Sequence, residues 1–340
     1  MTRFLEAPVL AIETSCDETS VAVLSGTRIL SNVVASQIEM HRKWGGIVPE
    51  AAARAHVEAL LPTLREALET AGLKLEEIGG LAVTNRPGLV GALSVGVSAA
   101  KALAFTRGIP LVGVHHLEGH LLSVFGADEA PVFPHLSLIV SGGHTELVAV
   151  ERPGTYRLVG ETRDDAAGEA FDKAARSMGL PYPGGRSIQE HAKSGDPKRY
   201  PFPKGLSGDT IDFSFSGLKT AIARLVEQEG DRLSIPDACA SAQEAITSVL
   251  AERAILAAER FDLPAIALVG GVAANQRLRE RLGDLAEKRG LQLLIPPIEL
   301  CTDNAAMIGL AGSLRLASGE RDGLDLDCLA QSPLPGPSLG

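Results

Sequence analysis

The feature that most constrains the fold of this chain is a strand–turn–strand pattern that occurs twice. Residues 9–24 read VLAIETSCDETSVAVL, and residues 136–150 read LSLIVSGGHTELVAV. In each stretch an apolar run leads into a turn of small or polar residues and then into a second apolar run, which predicts a β-hairpin. One hairpin opens each half of the chain. We therefore interpret the halves as duplicated domains, although strand–turn–strand patterns are common in unrelated proteins.

Apolar strands that end in glycine-containing turns and lead into helices recur through both halves. This alternation predicts α/β domains with mixed sheets, arranged as two halves around a cleft. We predict a first half over 1–132 and a second half with an insertion over 133–322. A Pro-rich tail over 323–340 is predicted to be disordered or loosely packed. A helix is expected over 49–71, divided or kinked at Pro62. Two further helices are expected at 164–178 and 302–317, and both of these have acidic residues in the first turn.

The composition indicates an ordinary globular protein with 45% apolar residues and no apolar run of transmembrane length. Its four cysteines are scattered, with no CxxC pair, which favours a reducing compartment, and we predict a cytoplasmic protein without a membrane segment. The formal net charge is −10, so a surface that binds nucleic acid has to be local or supplied by a partner. Residues 193–204 (KSGDPKRYPFPK) are the best local candidate, and a solvated loop is the alternative.

His116 and His120 are four residues apart in the segment HHLEGH. On a helix that follows a strand, both imidazoles project from one face and can bind one cation. Asp303, near the start of a later helix, offers a carboxylate as a third ligand. Two histidines and one carboxylate with open positions suit Fe(II), and zinc also fits. The alternatives are surface or helix-start histidines and, for Asp303, an acid that only stabilises the helix N-terminus.

Three glycine-rich turns, at 141–143, 184–185 and 270–271, can present backbone N–H groups to phosphate oxygens. None matches the P-loop or the dinucleotide-binding spacing. Asp172 can accept hydrogen bonds from ribose hydroxyls, or instead pair with Arg176 four residues later. Asn275 offers a donor and an acceptor to a nucleotide. Together these residues make a nucleotide site a reasonable prediction.

Nine ordered motifs resemble the TsaD family, the bacterial tRNA N6-adenosine threonylcarbamoyltransferases once described as O-sialoglycoprotein endopeptidases. The motifs are IETSCDET (12–19), PGLVGAL (87–93), HHLEGH (115–120), VSGGHTEL (140–147), DDAAGEAFDK (164–173), PYPGG (181–185), DFSFSGLKT (212–220), GGVAAN (270–275) and CTDNAAMIG (301–309). The resemblance spans about residues 9 to 318 and does not cover the tail.

The resemblance implies a duplicated actin/Hsp70-like (ribonuclease H-like) fold around a central nucleotide cleft. It implies transfer of the threonylcarbamoyl group from L-threonylcarbamoyladenylate to N6 of adenosine 37 in tRNAs that read ANN codons, with TsaB-like and TsaE-like protein partners. It also implies one Fe(2+) per subunit. The residues implied to bind that iron are His116, His120 and Asp303, and those implied to bind the adenylate are Ile139, Val140, Ser141, Gly142, Gly143, Asp172, Gly185 and Asn275.

The chain departs from the family pattern at Arg86, where glycine is usual, and at Arg186, where proline is usual. We hypothesise that one or both cations contact phosphate or tRNA. For the reaction we expect Lewis-acid acyl transfer, with Asp17 or Glu18 as a possible acceptor of the N6 proton or simply as turn residues.

Two rival functions remain at this point. A metal-dependent peptidase is suggested by the paired histidines, but Glu118 lies off the histidine face, which is poor geometry for a general base. The second rival is a non-catalytic ATP-binding scaffold of the actin/Hsp70 type. The predicted metal triad of His116, His120 and Asp303 argues against this function.

Overall fold

The computed structural model describes residues 3–127 and 130–334, and the chain forms two compact units. The first unit takes the described residues of 1–131 and 296–340, and the second takes 132–295. Each unit contains one five-stranded sheet. The predicted second half extended to residue 322, whereas the chain returns to the first unit at Pro296, because the last long helix packs on the first sheet.

Ten strands form the two sheets within the described ranges. They are β1 (Val9–Glu13), β2 (Glu18–Ser25), β3 (Arg28–Ser36), β4 (Gly80–Arg86), β5 (Leu111–His115), β6 (His135–Val140), β7 (Thr145–Arg152), β8 (Thr155–Glu161), β9 (Ala265–Val269) and β10 (Gln292–Leu294).

The two sheets have the same topology. The first has the order β3-β2-β1-β4-β5 and the second the order β8-β7-β6-β9-β10. In each sheet, the first three strands in the chain pair antiparallel, one after the other. The fourth strand pairs in parallel with the first, and the fifth pairs in parallel with the fourth. Both predicted hairpins are present, as β1–β2 and β6–β7. The internal repeat inferred from the hairpins is thus a repeat of whole sheets.

Eleven α-helices lie in the described part of the chain. They are α1 (Ile38–Arg42), α2 (Pro49–Ala71), α3 (Val90–Arg107), α4 (His116–Leu122), α5 (Ala167–Ser177), α6 (Gly184–Ala192), α7 (Ser216–Glu229), α8 (Ile235–Arg260), α9 (Gln276–Lys288), α10 (Ile298–Cys301) and α11 (Ala305–Ala317). Within the described residues, no helix combines the length and apolar character needed to cross a bilayer.

The first sheet is covered on both faces, and β1 shows how. Val9 and Ala11 lie in a core cluster with α11, whereas Leu10 and Ile12 lie in a cluster with α2 and α3. Successive side chains of a strand point to opposite faces, so a strand between two helical layers has no polar face. This explains why β1 is a continuous apolar run that ends at Glu13.

Two predicted helix starts need correction, and one of the two alternatives at Pro62 is excluded. Pro62 lies inside α2 and does not divide it, while a kink there stays a prediction. Helix α5 begins at Ala167 rather than 164, because the Asp164 carboxylate instead accepts the backbone N–H of Phe215 and the Ser214 hydroxyl. Helix α11 begins at Ala305, because the Asn304 side chain caps it by accepting the N–H of Met307 at 3.0 Å.

Residues 321–332, which we call the C-terminal strap, pack against the first unit. The Asp322 N–H donates to Leu111 O at 2.8 Å, and the Leu329 N–H donates to Asn85 O at 3.0 Å. Leu326 and Cys328 pack on the core cluster that contains α2 and α3. The prediction of a loosely packed tail is therefore wrong for the strap, which is held by backbone hydrogen bonds and by the partly buried Leu326 and Cys328, while Leu324 and Leu329 stay exposed. Residues 335–340 of the predicted tail lie outside the described range.

Candidate metal and nucleotide sites

The three predicted metal ligands meet in the first unit. Both histidines lie on α4, directly after β5, and their rings are 4.8 Å apart at nearly right angles. Nε2 of His116 and Nε2 of His120 lie 3.4 and 3.2 Å from Oδ1 of Asp303. The three ligand atoms fall within 4.8 Å of one another, and both histidines are buried. Convergence of two imidazoles and a carboxylate on one point is the arrangement that a divalent cation requires.

Asp303 lies between α10 and α11, so it is free to point toward the histidines while Asn304 caps the helix. Burial alone would raise the pKa of Asp303, but His116 and His120 outweigh it and hold that pKa well below its usual range. Burial likewise opposes the charged form of His116, yet Asp303 and Glu13 hold its pKa well above the usual value. A cation bound at Nε2 would therefore displace a proton from this cluster.

Glu13 fixes the His116 ring from the other side, a role that sequence reasoning missed. Its side chain is fully buried, and Oε2 lies 3.1 Å from Nδ1 of His116. The Ser15 N–H and the Thr84 hydroxyl each donate to this carboxylate at 2.5 Å. A carboxylate on Nδ1 keeps the proton there and leaves the Nε2 lone pair for a metal. The available signal was a glutamate that ends a wholly apolar strand.

Glu118 faces away from the ligands, as predicted. It is buried, and its Oε2 lies 3.8 Å from Arg315 on α11. A peptidase of the histidine–glutamate type needs its glutamate beside the metal-bound water. This contact removes the structural basis for the peptidase alternative.

In the second unit, the predicted phosphate-binding turn follows β6. Ile139 and Val140 are buried strand residues, and Ser141 closes the turn by donating its N–H to His144 O at 2.8 Å. Gly142 and Gly143 are exposed, and a side chain at either position would meet open space. Their backbone is therefore accessible to a ligand, as a phosphate cradle requires.

Asp172 and Asn275 both stabilise helix starts. The Asp172 carboxylate accepts the N–H of Gly184 at 2.7 Å, which fixes the start of α6 and places Gly185 beside Phe171. Asn275 caps α9 by accepting the Leu278 N–H at 3.0 Å. Each side chain is thus immobilised by its capping bond.

Gln243 on α8 is a second residue that sequence reasoning missed. Its Oε1 accepts Nδ2 of Asn275 at 3.0 Å, and both side chains are buried. The Asn275 amide is therefore held at both ends. A glutamine inside an Ala-rich helix gave no signal that distinguished it from a helix-surface residue.

These elements share one edge of the second sheet. Strands β6 and β9 run parallel with Ile139 opposite Val269, so their carboxyl ends, with turns 141–143 and 270–271, are neighbours. Gly168 of α5 packs directly on Ser141 and Gly142, where a side chain would clash with backbone atoms. Helix α5 also contacts the 3₁₀ turn at Gly271–Ala274. The residues predicted to bind a nucleotide therefore form one cluster.

The two unusual arginines occupy different surroundings. Arg86 is partly buried and donates to Asn85 Oδ1 at 3.0 Å, and burial together with Arg315 lowers its pKa. Arg186 is exposed in the first turn of α6. A contact with phosphate or tRNA stays a prediction, and the exposed Arg186 is the better placed of the two.

Comparison with known proteins assigns the chain to one family, whether by the family model or by individual relatives. The family model described as TsaD, tRNA N6-adenosine threonylcarbamoyltransferase, matches residues 28–310. The chain is 56% identical over 324 residues to the protein of that name from Anaeromyxobacter dehalogenans (strain 2CP-C), covering 94% of this chain and 97% of the relative. It is 51% identical over 338 residues to the one from Symbiobacterium thermophilum, covering 98% of each.

Solved structures with low sequence identity share the fold. Component A of (R)-2-hydroxyglutaryl-CoA dehydratase from Acidaminococcus fermentans matches with a TM-score of 0.56 at 16% identity, covering 92% of this chain and 99% of that one. HypF from T. kodakarensis matches with a TM-score of 0.61 at 14% identity, covering 93% of this chain and 48% of that one. Together with the two sheets of equal topology, these likenesses confirm the predicted duplicated actin/Hsp70-like fold.

Proposed function

Since this chain belongs to the TsaD family of tRNA N6-adenosine threonylcarbamoyltransferases, we propose that it forms N6-threonylcarbamoyladenosine at adenosine 37 of tRNAs that read ANN codons. The donor in this proposal is L-threonylcarbamoyladenylate. The observation that carries it is the convergence of His116, His120 and Asp303 on one point beside a buried supporting carboxylate. We further propose that the protein acts in the cytoplasm with TsaB-like and TsaE-like partners.

The nucleotide of the donor is assigned to the glycine turns of the second unit. The exposed backbone of Gly142 and Gly143 suits the phosphate, and the fixed carboxylate of Asp172 suits the ribose hydroxyls. Gly185 leaves room beside Phe171, and Asn275 offers the remaining polar group. Ile139 and Val140 hold the turn in place as buried strand residues.

The metal is assigned to the three ligands of the first unit, one ion per chain. We propose Fe(2+), and zinc also fits this set of ligands. When bound, such an ion supplies Lewis-acid polarisation of a carbonyl oxygen. The chain itself orients the ligands, through Glu13 and Ser15 on His116, and excludes water, since both histidines are buried.

In the transfer, a bond forms between N6 and the carbamoyl carbon, the bond from that carbon to the phosphate oxygen breaks, and AMP leaves. One proton must leave N6. Burial and the nearby carboxylates of Asp17 and Asp303 raise the pKa of Glu18. Asp17 and Glu18 lie side by side at the start of β2, and the acceptor of the N6 proton is assigned to this pair of carboxyl groups.

The test is mass spectrometry of nucleosides from tRNA incubated with L-threonylcarbamoyladenylate, the protein and its proposed partners. We expect threonylcarbamoyladenosine only when this chain is present. His116→Ala should abolish the product, whereas His191→Ala, at an exposed histidine on α6, should not change it. Full activity of His116→Ala would exclude a metal role, and absence of product with intact donor would reject the proposal.

A further inference from the structure

The segment between β3 and α2 displays an exposed cluster of large apolar side chains. Trp44, Ile47 and Val48 are 54%, 36% and 36% exposed, and the exposed cations Arg42 and Lys43 directly precede the tryptophan. Trp44 is the only tryptophan of the chain. Neither the metal cluster nor the nucleotide cluster uses these residues.

The tryptophan is braced from below. Its ring lies 5.9 Å from that of His41, and the backbone N–H of Trp44 donates to His41 O at 3.0 Å. His41 is itself buried and fixed at both ring nitrogens, because Nδ1 accepts the Val48 N–H at 3.3 Å and Nε2 lies 3.1 Å from Oε1 of Gln37. An indole on such a support can offer a flat apolar surface to a ligand with little loss of conformational entropy.

The same support connects this surface to the metal ligands within the first unit. The Gln37 N–H donates to Asp17 O at 3.0 Å, in the turn between β1 and β2. Ser15 of that turn places its Oγ 3.2 Å from Nδ1 of His116. The turn between β1 and β2 is therefore bonded on one side to Gln37, which holds the His41 ring under Trp44, and on the other side to the predicted metal ligand His116.

The chemistry of this surface selects its ligand. An adenine N6 can reach a protein group only if the base is unstacked, and unstacked bases of RNA loops are typically held on aromatic side chains beside cations. We propose that Trp44, with Arg42 and Lys43, forms a stacking platform for an unpaired base of the tRNA anticodon loop. This inference rests on the proposed function, since it takes tRNA as the substrate. Arg42 also pairs with the exposed Glu39 at 3.0 Å, so Lys43 supplies the cation that no acid among the described residues neutralises. In a chain of net charge −10, cations beside an exposed indole favour an RNA ligand over an apolar protein partner.

The test uses the intrinsic fluorescence of the single tryptophan in the full-length protein. We expect saturable quenching on titration with an anticodon stem-loop RNA, and none with a duplex in which the same loop bases are paired. Stacking on an aromatic ring is worth about 1–3 kcal/mol per base, which corresponds to about 5- to 150-fold in affinity. Trp44→Ala should weaken binding of the stem-loop within this range, as measured by filter binding, while Trp44→Phe should keep most of the affinity.

Phe105, which is 74% exposed at the end of α3, provides the matched control, and Phe105→Ala should bind the stem-loop like the unmodified protein. Equal affinity of Trp44→Ala and the unmodified protein, or equal quenching by loop and duplex, would overturn the inference. Because this readout needs no transfer, quenching without threonylcarbamoyladenosine would reject only the proposed function. Transfer with an unaffected Trp44→Ala variant would reject only the platform.

Discussion

The Glu13 carboxylate lies 3.1 Å from Nδ1 of His116, while Nε2 of the same ring faces Asp303 at 3.4 Å. One imidazole thus joins a fully buried carboxylate to the ligand cluster. The pair links strand β1 of the hairpin to helix α4, and it sets which nitrogen of His116 can bind a metal.

Replacing Glu13 should therefore weaken metal binding. Glu13→Gln keeps the volume but allows an amide N–H to face Nδ1, which favours the wrong tautomer, and loss of such a supporting group typically costs about 10- to 100-fold in affinity. Zn²⁺ affinity, measured by competition with a chelator, provides the readout. Glu118→Gln, at a buried acid that faces Arg315 instead, should leave the affinity near that of the unmodified protein. Equal weakening in both variants would indicate a general loss of structure.

Asn275 allows capping and nucleotide binding to be separated. Asn275→Asp retains the capping oxygen but loses the donor to Gln243 Oε1, so the free energy of unfolding should fall by about 1 kcal/mol, whereas Asn275→Ala loses both bonds and should fall by about 2 kcal/mol. Both variants lose the amide donor, and AMP affinity measured by calorimetry should fall about 2- to 10-fold in each. Unchanged AMP affinity in Asn275→Asp would remove Asn275 from the nucleotide site.

Glu146 predicts a pH dependence of stability. It lies opposite Glu161 across β7 and β8, and burial together with that carboxylate raises its pKa from 4.5 to about 7. Because the folded state holds this proton to higher pH than the unfolded chain does, its stabilisation is complete below pH 4.5 and is lost as the pH rises through 7. Glu146→Gln should therefore raise the free energy of unfolding relative to the unmodified protein, and this gain should be about 1–3 kcal/mol larger at pH 8 than at pH 4.5.

Urea unfolding at the two pH values measures this difference. Glu151→Gln, at an exposed acid of the same strand, should show the same change at both pH values. A Glu146→Gln variant with no pH-dependent gain would contradict the assigned proton.

Truncation tests the C-terminal strap. Removing residues from 321 onward eliminates the Leu329–Asn85 backbone bond and the burial of Leu326. Adding about 1 kcal/mol for the partly buried leucine to about 1 kcal/mol for each of several hydrogen bonds, we expect a loss of about 3 kcal/mol or more in thermal or urea unfolding. Truncation after Leu334, which keeps the whole strap, provides the control. Equal stability of the two truncated proteins would show that the strap contributes nothing.

Much of this structure was predictable because the relevant signals are local. Alternating apolar runs around a turn define both hairpins, and the spacing of His116 and His120 defines a shared helix face. Other features depend on contacts between distant residues. Glu13 and His116 are in contact although 103 positions separate them in the sequence, and Asp327 of the strap bonds to Asn85 across a separation of 242 positions. No short-range pattern encodes such pairs, which is why the carboxylate behind the ligand was missed and the strap was predicted as a loose tail.

The return of the chain to its first unit has a consequence for synthesis on the ribosome. Asp303 follows His120 by 183 residues, and the whole second unit is made between them. Helix α11, which covers one face of the first sheet, also comes after that interval. Domains generally fold in order as they emerge, but here the first-made sheet lacks a covering layer, and the proposed metal site lacks its carboxylate, until translation is almost complete. The three proposed ligands therefore come together only when the polypeptide is nearly finished.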